Sequence, residues 1–259
     1  MRFCRYSVDG EVRGFGLVDG DPDTDGAVAA IEGTPFTGFT PTGERFPLAA
    51  VRLLAPIVPT KIVCIGKNYA DHAKEMGGDA PTTPVVFMKP STAIVGPGDP
   101  IVHPRDSERV DYEGELAIVI SRLCRDVPAE RVDDVILGYT IANDVTARDQ
   151  QHADGQWTRG KGHDTFCPLG PWLDTDVNPR DLHLQTVLDD IVVQEARTSE
   201  MVHDVAAFVA FVTSFMTLVP GDVLLTGTPA GVGPMRPGQT VSVSIEGIGT
   251  LTNPVVARG

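Results

Sequence analysis

Val110-Asp111-Tyr112-Glu113-Gly114-Glu115-Leu116-Ala117-Ile118-Val119-Ile120 turns apolar and β-branched toward its end, which predicts a strand over residues 111–120. Side chains alternate faces along a strand, so Glu113 and Glu115 point the same way, with Ala117 and Val119 following them. Two carboxylates about 6.5–7 Å apart, two strand positions, then stand at the mouth of an apolar run. Like charges entering a dry interior need a compensating cation, and a bound divalent metal would supply it. The competing reading is a solvated strand edge, the ordinary fate of a Glu-x-Glu pair.

A third carboxylate stands at a second site. Residues 136–142 form another apolar strand ending in Asn143-Asp144, so Asp144 emerges where a buried strand ends. Its structural alternative is a helix N-cap. Three carboxylates at strand ends make an oxygen-only donor set suited to Mg²⁺ or Mn²⁺; zinc prefers nitrogen and sulfur.

Around this stretch the pattern is mostly β. Further strands are expected over residues 61–66, 84–89, 133–142, 186–193, 222–226 and 240–245. Two helices are expected, one from an Asn68 N-cap to Met76 before Gly77-Gly78, the other over residues 205–216. In the second, Val205, Phe208, Val209, Val212 and Phe215 follow the helical period, and Pro220-Gly221 ends it. Residues 1–55 read as a small β-rich module with strands at 1–8, 11–18 and 51–54, an Asp9-Gly10 hairpin signal, and a Gly-, Pro-, Thr- and Asp-rich stretch between Asp19 and Pro47. Strands outnumber helices without regular alternation, which indicates an α+β fold.

The 259 residues carry 35 acidic and 21 basic side chains, a formal charge of −14. That disfavours nucleic acid, which needs a basic footprint. No apolar run is long enough to span a membrane, the start lacks an apolar signal core, and a cytoplasmic location is expected. Cys4, Cys64, Cys124 and Cys167 lie far apart and form no Cys-x-x-Cys, so buried thiols in a reducing compartment are expected.

His72 and Glu75 share one face of the first helix. They read either as a dyad that takes a proton from water or as a solvated surface pair. Lys161, amid glycines and near Trp157, is either a contact for an anionic oxygen or a plain surface lysine. The loop Thr226-Gly227-Thr228-Pro229-Ala230-Gly231-Val232-Gly233 lacks the Gly-Lys-Ser/Thr of a phosphate-binding loop. It either presents backbone N–H groups and a Thr hydroxyl to a carboxylate or is an ordinary tight turn. His103, His152 and His163 are not spaced as a metal set and are assigned to structure or surface.

Six segments in order resemble the fumarylacetoacetate hydrolase family: Gly66-Lys67-Asn68-Tyr69-Ala70-Asp71-His72, Phe87-Met88-Lys89-Pro90-Ser91, Asp111-Tyr112-Glu113-Gly114-Glu115-Leu116, Asn143-Asp144-Val145-Thr146-Ala147-Arg148-Asp149, Gly160-Lys161, and Asp222-Val223-Leu224-Leu225-Thr226-Gly227-Thr228-Pro229. The resemblance implies a mixed β roll or sandwich over residues 58–259, preceded by a small β-rich N-terminal domain at 1–57 like the leader of short bacterial members. It further implies a homodimer and a catalytic Mg²⁺ or Mn²⁺. The family's metal carboxylates map onto Glu113, Glu115 and Asp144, its proton-handling dyad onto His72 and Glu75, and its substrate contacts onto Lys161, Gln151 and Thr228. A further aspartate ligand of eukaryotic fumarylacetoacetases has no counterpart placed here, and Lys161 is followed by Gly162-His163-Asp164-Thr165 rather than the usual hydroxyl pattern.

The expected activity is therefore metal-dependent chemistry on a 2-oxo acid drawn up as its enolate. Hydrolysis or decarboxylation of an acylpyruvate or an oxaloacetate-like compound leads. Isomerisation of 2-hydroxyhepta-2,4-diene-1,7-dioate is the runner-up, and a non-catalytic, metal-stabilised binding module is the remote alternative.

Overall fold

The structure, a computed structural model, describes residues 1–22 and 24–259. The chain opens with strands β1 (Arg2–Val8), β2 (Glu11–Asp19), β3 (Ala27–Thr34), β4 (Gly38–Pro47) and β5 (Arg52–Leu54). It continues through β6 (Ile62–Gly66), α1 (Ala70–Glu75), β7 (Val85–Lys89), β8 (Ile94–Val95), β9 (Ile101–His103), β10 (Val110–Tyr112), β11 (Gly114–Ile120), β12 (Ile136–Asn143) and β13 (Thr146–Ala147). Next come α2 (Arg148–Asp154), α3 (Thr158–Gly162), β14 (Cys167–Asp174), β15 (His183–Leu188), β16 (Ile191–Arg197) and α4 (Val205–Phe215). It closes with β17 (Val223–Leu225), β18 (Gly233–Met235), β19 (Thr240–Ile245) and β20 (Gly249–Ala257).

A long mixed sheet runs β4-β3-β2-β1-β14-β12-β11-β17-β6-β7, with β5 beside β1 and β8 beside β14. A five-stranded sheet, β16-β15-β19-β20-β9, covers one of its faces, and a short sheet β13-β10-β18 sits at the end where the acidic residues emerge. The fold is α+β, a mixed β sandwich. β11 explains why its sequence is almost unbroken apolar. Leu116, Ile118 and Ile120 face a core shared with Leu184, Val243 and Ile245 of the covering sheet and with Phe208, Val209 and Val212 of α4. Ala117 and Val119 face a second core with Ala142, Leu169, Val223 and Leu225. A strand buried on both faces has no polar side to alternate with.

The Asp9-Gly10 hairpin forms, with both residues at positive φ (51° and 82°), the geometry of a tight two-residue turn that matches strand twist. Its first strand does not stop at the N-terminal module. β1 pairs antiparallel with β14, Phe3 opposite Leu173, so the long sheet is continuous from the N-terminal strands into the remainder of the chain.

Several expectations need correction. Residues 111–120 are not one strand: the chain breaks at Glu113 and passes from the short sheet (β10) to the long one (β11). The stretch between Asp19 and Pro47 holds a β3–β4 hairpin, because Val28, Ala30 and Ile31 are buried despite the turn-rich composition around them. Residues 186–193 span a hairpin, β15 turning into β16 at Asp189, whose φ is 54°. A 3-10 turn occupies Ala129–Asp134, so that strand starts at Ile136. α1 is capped by Tyr69 rather than Asn68. Phe215, expected on the buried stripe of α4, is 47% exposed and packs on Phe211. The short helices α2 and α3 and strands β14 and β20 carry no strong periodic signal and are not expected from the sequence.

Candidate active site

The break at Glu113 builds the site. Its backbone N–H donates to Asn143 Oδ1 at 2.9 Å, and Asp144 N–H donates back to Glu113 O at 2.8 Å. These bonds lock the ends of β11 and β12 side by side, with Gly114 opposite Asn143. Glu113, Glu115 and Asp144 are all buried, and each offers a ligand oxygen within 4.8 Å of the others. Asp144 does not cap a helix; Ala147 occupies the N-cap of α2.

Cations surround two of the three carboxylates. Lys161 Nζ lies 2.6 Å from both Glu113 Oε2 and Asp144 Oδ2. Lys89 Nζ donates to Asp144 Oδ1 at 2.5 Å and to Val145 O at 3.1 Å. Arg148 is a buried fork that bonds Glu113 Oε1 at 2.5 Å, Asp111 Oδ2 at 2.9 Å and Gln151 Oε1 at 2.7 Å. Burial alone would raise the Glu113 pKa, but Lys161 and Arg148 hold it well below the usual carboxylate range. Burial would likewise lower that of Lys161, and Asp144 and Glu113 raise it instead. The Lys161 ammonium therefore stays charged.

Glu115 differs. Among the described residues it has no cationic partner, only the Gly227 N–H at 2.7 Å on Oε2. Burial, then Asp144, then Glu113 push its pKa well above normal. A buried, oxygen-only cluster whose third member makes no ion pair, and feels the Lys161 charge too weakly to offset its burial, fits a hard divalent cation such as Mg²⁺ or Mn²⁺. Glu113, Glu115 and Asp144 are the residues that would hold it.

These carboxylates form the floor of a cavity of about 240 Å³ lined also by His72, Lys161, Gln151, Thr228, Phe87 and Trp157. His72 is buried, and its Nδ1 is 3.3 Å from Glu75 Oε2. Glu75 accepts from Gly231 N–H at 3.2 Å and is not itself a lining residue. Thr228 Oγ1 donates to Gly114 O at 3.0 Å and accepts from Gln194 Nε2 at 2.8 Å, so the Gly-rich loop is stitched to β11 beside Glu115. All eight residues singled out from the sequence thus lie in or against one cavity. Lys161, for which a surface position was the plain alternative, is 3% exposed.

The long sheet, the N-terminal strands and the acidic cavity agree with the comparisons. The model of the fumarylacetoacetate (FAA) hydrolase C-terminal domain matches residues 61–256, and that of the Rv2993c-like N-terminal domain matches residues 1–56. The chain belongs to the fumarylacetoacetate hydrolase family. Protein Rv2993c of Mycobacterium tuberculosis is 58% identical over 265 residues, covering 100% of this chain and 99% of that one. The mitochondrial oxaloacetate tautomerase Fahd2a of Rattus norvegicus is 43% identical over 222 residues, 81% of this chain and 71% of that one. The crystal structure of 5-carboxymethyl-2-hydroxymuconate delta-isomerase from Mycobacterium smegmatis superposes with a TM-score of 0.93 at 54% identity, each chain fully covered. Maleylpyruvate hydrolase from Sphingobium sp. SYK-6, solved with manganese(II) and pyruvate, gives 0.81 at 33% identity, again over both whole chains. Members of the fumarylacetoacetate hydrolase family are thus isomerases, tautomerases and hydrolases.

Part of this site carries little signal in the sequence. Lys89 and Arg148 enter it only as letters within motifs. Their signal was available: a lysine closing a strand and an arginine four residues after Asp144, in a chain whose three central carboxylates need cations. His152, assigned to structure or surface, lines the cavity. His163 bonds Gln150 Oε1 at 2.7 Å and packs on Phe166, away from the lining. His103 bonds the carbonyl of Pro104. The four cysteines are free and buried, and among the described residues no helix is long and apolar enough to cross a membrane.

Proposed function

We propose that this chain is a divalent-metal-dependent enzyme that forms the enolate of a 2-oxo carboxylate and cleaves its distal carbon–carbon bond, by hydrolysis of an acylpyruvate or decarboxylation of an oxaloacetate-like acid. The observation that carries the reading is a buried His72, braced by Glu75, lining the same cavity as the three carboxylates.

Glu113, Glu115 and Asp144 would hold a divalent cation, which when bound would supply Lewis acidity to the 2-oxo acid. Lys161 keeps a permanent positive charge at the same site, where negative charge grows as the enolate forms. Gln151, fixed by Arg148, and the Thr228 loop orient the substrate's ends. Glu75 engages His72 Nδ1 and leaves the other ring nitrogen for proton transfer. His72 takes a proton from water, the water oxygen attacks the distal carbonyl, and the bond between that carbonyl and C3 breaks. Its electron pair moves into the pyruvate enolate, which is reprotonated at C3. With a distal carboxylate no water is needed and CO₂ leaves.

A second reading, in which proton transfers alone move a double bond, is favoured by the likeness to an isomerase structure and to an oxaloacetate tautomerase. Incubating the Mn²⁺-loaded protein with acetylpyruvate, fumarylpyruvate, oxaloacetate and a 2-hydroxydienoate, with products identified by NMR, separates the two. Pyruvate plus a second acid, or pyruvate plus CO₂, is expected. Isomerised or tautomerised substrate with carbon skeleton intact selects the second reading, and no conversion or C3 deuterium exchange rejects both.

A further inference from the structure

Among the described residues, five other than glycine adopt positive φ: Asp9, Lys67, Asp126, Thr165 and Asp189. The three aspartates have short polar side chains, the kind that tolerate this region. Thr165 uses its hydroxyl to accept from Val102 N–H at 2.9 Å. Lys67, at φ 57°, has neither excuse. A long unbranched cation there is strained by about 1–3 kcal/mol, and strain of this kind persists where the surrounding structure demands it.

Lys67 lines the catalytic cavity. Of the three Lys and Arg residues that do, Arg148 and Lys161 are spent on buried carboxylates. Lys67 forms no ion pair or side-chain hydrogen bond among the described residues. Its neighbour fixes the turn: a Cβ at Gly66 would come within 2.6 Å of the Trp157 ring, so the indole seats directly against the backbone that presents Lys67. Trp157 in turn stands edge-on to Phe87 with centroids 5.1 Å apart. The cavity therefore has an acidic floor, an aromatic wall, and at the Gly66–Lys67 turn one uncommitted cation, with the exposed His152 also on its lining.

We infer that Lys67 is the contact for a second, distal carboxylate, so that the site selects dianionic over monoanionic 2-oxo acids. This rests on the 2-oxo acid reading above. An unpaired ammonium beside an aromatic wall rewards an anion at that end.

The test is calorimetric, so it does not depend on which reaction occurs. Mn²⁺-loaded protein is titrated with 2-oxobutyrate and with 2-oxoglutarate, which share the 2-oxo acid head and differ at the far end. Wild type is expected to prefer 2-oxoglutarate. Lys67→Gly, which the left-handed backbone accepts without strain, should shrink that preference about tenfold, and Lys67→Arg should keep most of it. An equal change in both affinities in Lys67→Gly overturns the inference while leaving the 2-oxo acid reading intact. Failure of wild type to bind either acid overturns both. If the preference for 2-oxoglutarate survives unchanged in Lys67→Gly, the distal carboxylate sits elsewhere.

Discussion

Glu115 Oε2 accepts a 2.7 Å hydrogen bond from the backbone N–H of Gly227, and Gly227 can offer it only as glycine. Its φ is 89°, and an added Cβ would stand 2.7 Å from Asn68 Cβ. Asn68 cannot retreat, since its amide bonds both the His203 carbonyl and the Thr226 carbonyl. Gly227→Ala should therefore cost about 1–3 kcal/mol from backbone strain alone, and more as the loop shifts. Urea unfolding against wild type measures it, and a change under about 0.5 kcal/mol, within the range of neutral surface substitutions, would contradict the constraint.

Glu115→Gln removes the one carboxylate of the cluster that makes no ion pair among the described residues. Binding of Mn²⁺ should weaken on the order of 10–100-fold or more, judged against the smaller perturbations that produce such losses. The metal-free variant should melt no lower than metal-free wild type, because burial beside Asp144 and Glu113 already disfavours the charged form of Glu115 and the neutral amide gives up little. Calorimetry and melting curves with and without chelator check both halves. Unchanged Mn²⁺ affinity would remove Glu115 from the ligand set.

His72→Ala should lower kcat by about 10²–10⁴-fold if His72 moves a proton in the reaction, while oxalate, a stand-in for pyruvate enolate, still binds with Mn²⁺. Glu75→Gln should lose less, since the imidazole survives its loss of orientation. Turnover unchanged in His72→Ala would make the pair structural.

Arg148→Met leaves Asp111 and Glu113 buried without their shared guanidinium. Breaking a buried pair from one side typically costs about 3–5 kcal/mol, so the variant should unfold at markedly lower urea. Arg148→Lys should recover only part, because one ammonium cannot reach Asp111, Glu113 and Gln151 together in a planar fork. Full stability in Arg148→Met would show that the network is not holding the cavity in shape.

His163 gives the pH dependence. It is half-buried against Phe166, and burial lowers its pKa below the ordinary value. The unfolded chain therefore binds this proton more readily than the folded one. The contribution of His163 is fully present above the unfolded pKa of about 6.5 and is lost as pH falls through the lowered folded value. His163→Gln should flatten the melting-temperature profile between neutral and mildly acid pH. An identical acid slope in the variant would place the titration elsewhere.

The carboxylates were legible because burial and spacing are both written locally: Glu113 and Glu115 precede four or more apolar residues, and Asp144 ends another such run. The break at Glu113 was not legible, since it depends on the Asn143 side chain arriving from a distant strand. Lys89 and Arg148 look like ordinary surface cations one residue at a time, and only their meeting in three dimensions shows what they neutralise. The β3–β4 hairpin was hidden by composition, because turn residues dominate a segment whose few buried side chains suffice to pair it. Lys67 gave no sign at all, as no residue type predicts its own strained dihedral.

The pairing of Phe3 with Leu173 ties the N-terminal strands into the sheet that carries the acidic cavity. A fragment starting near residue 58 would lay bare the amide and carbonyl groups of Leu173 and Asp174 that β1 covers, and would strip Phe3 from the second core. Such a raw seam recruits other chains. The truncated protein should precipitate or swap strands rather than persist as a smaller enzyme, which makes the first fifty-odd residues a lid on aggregation as much as a domain in their own right.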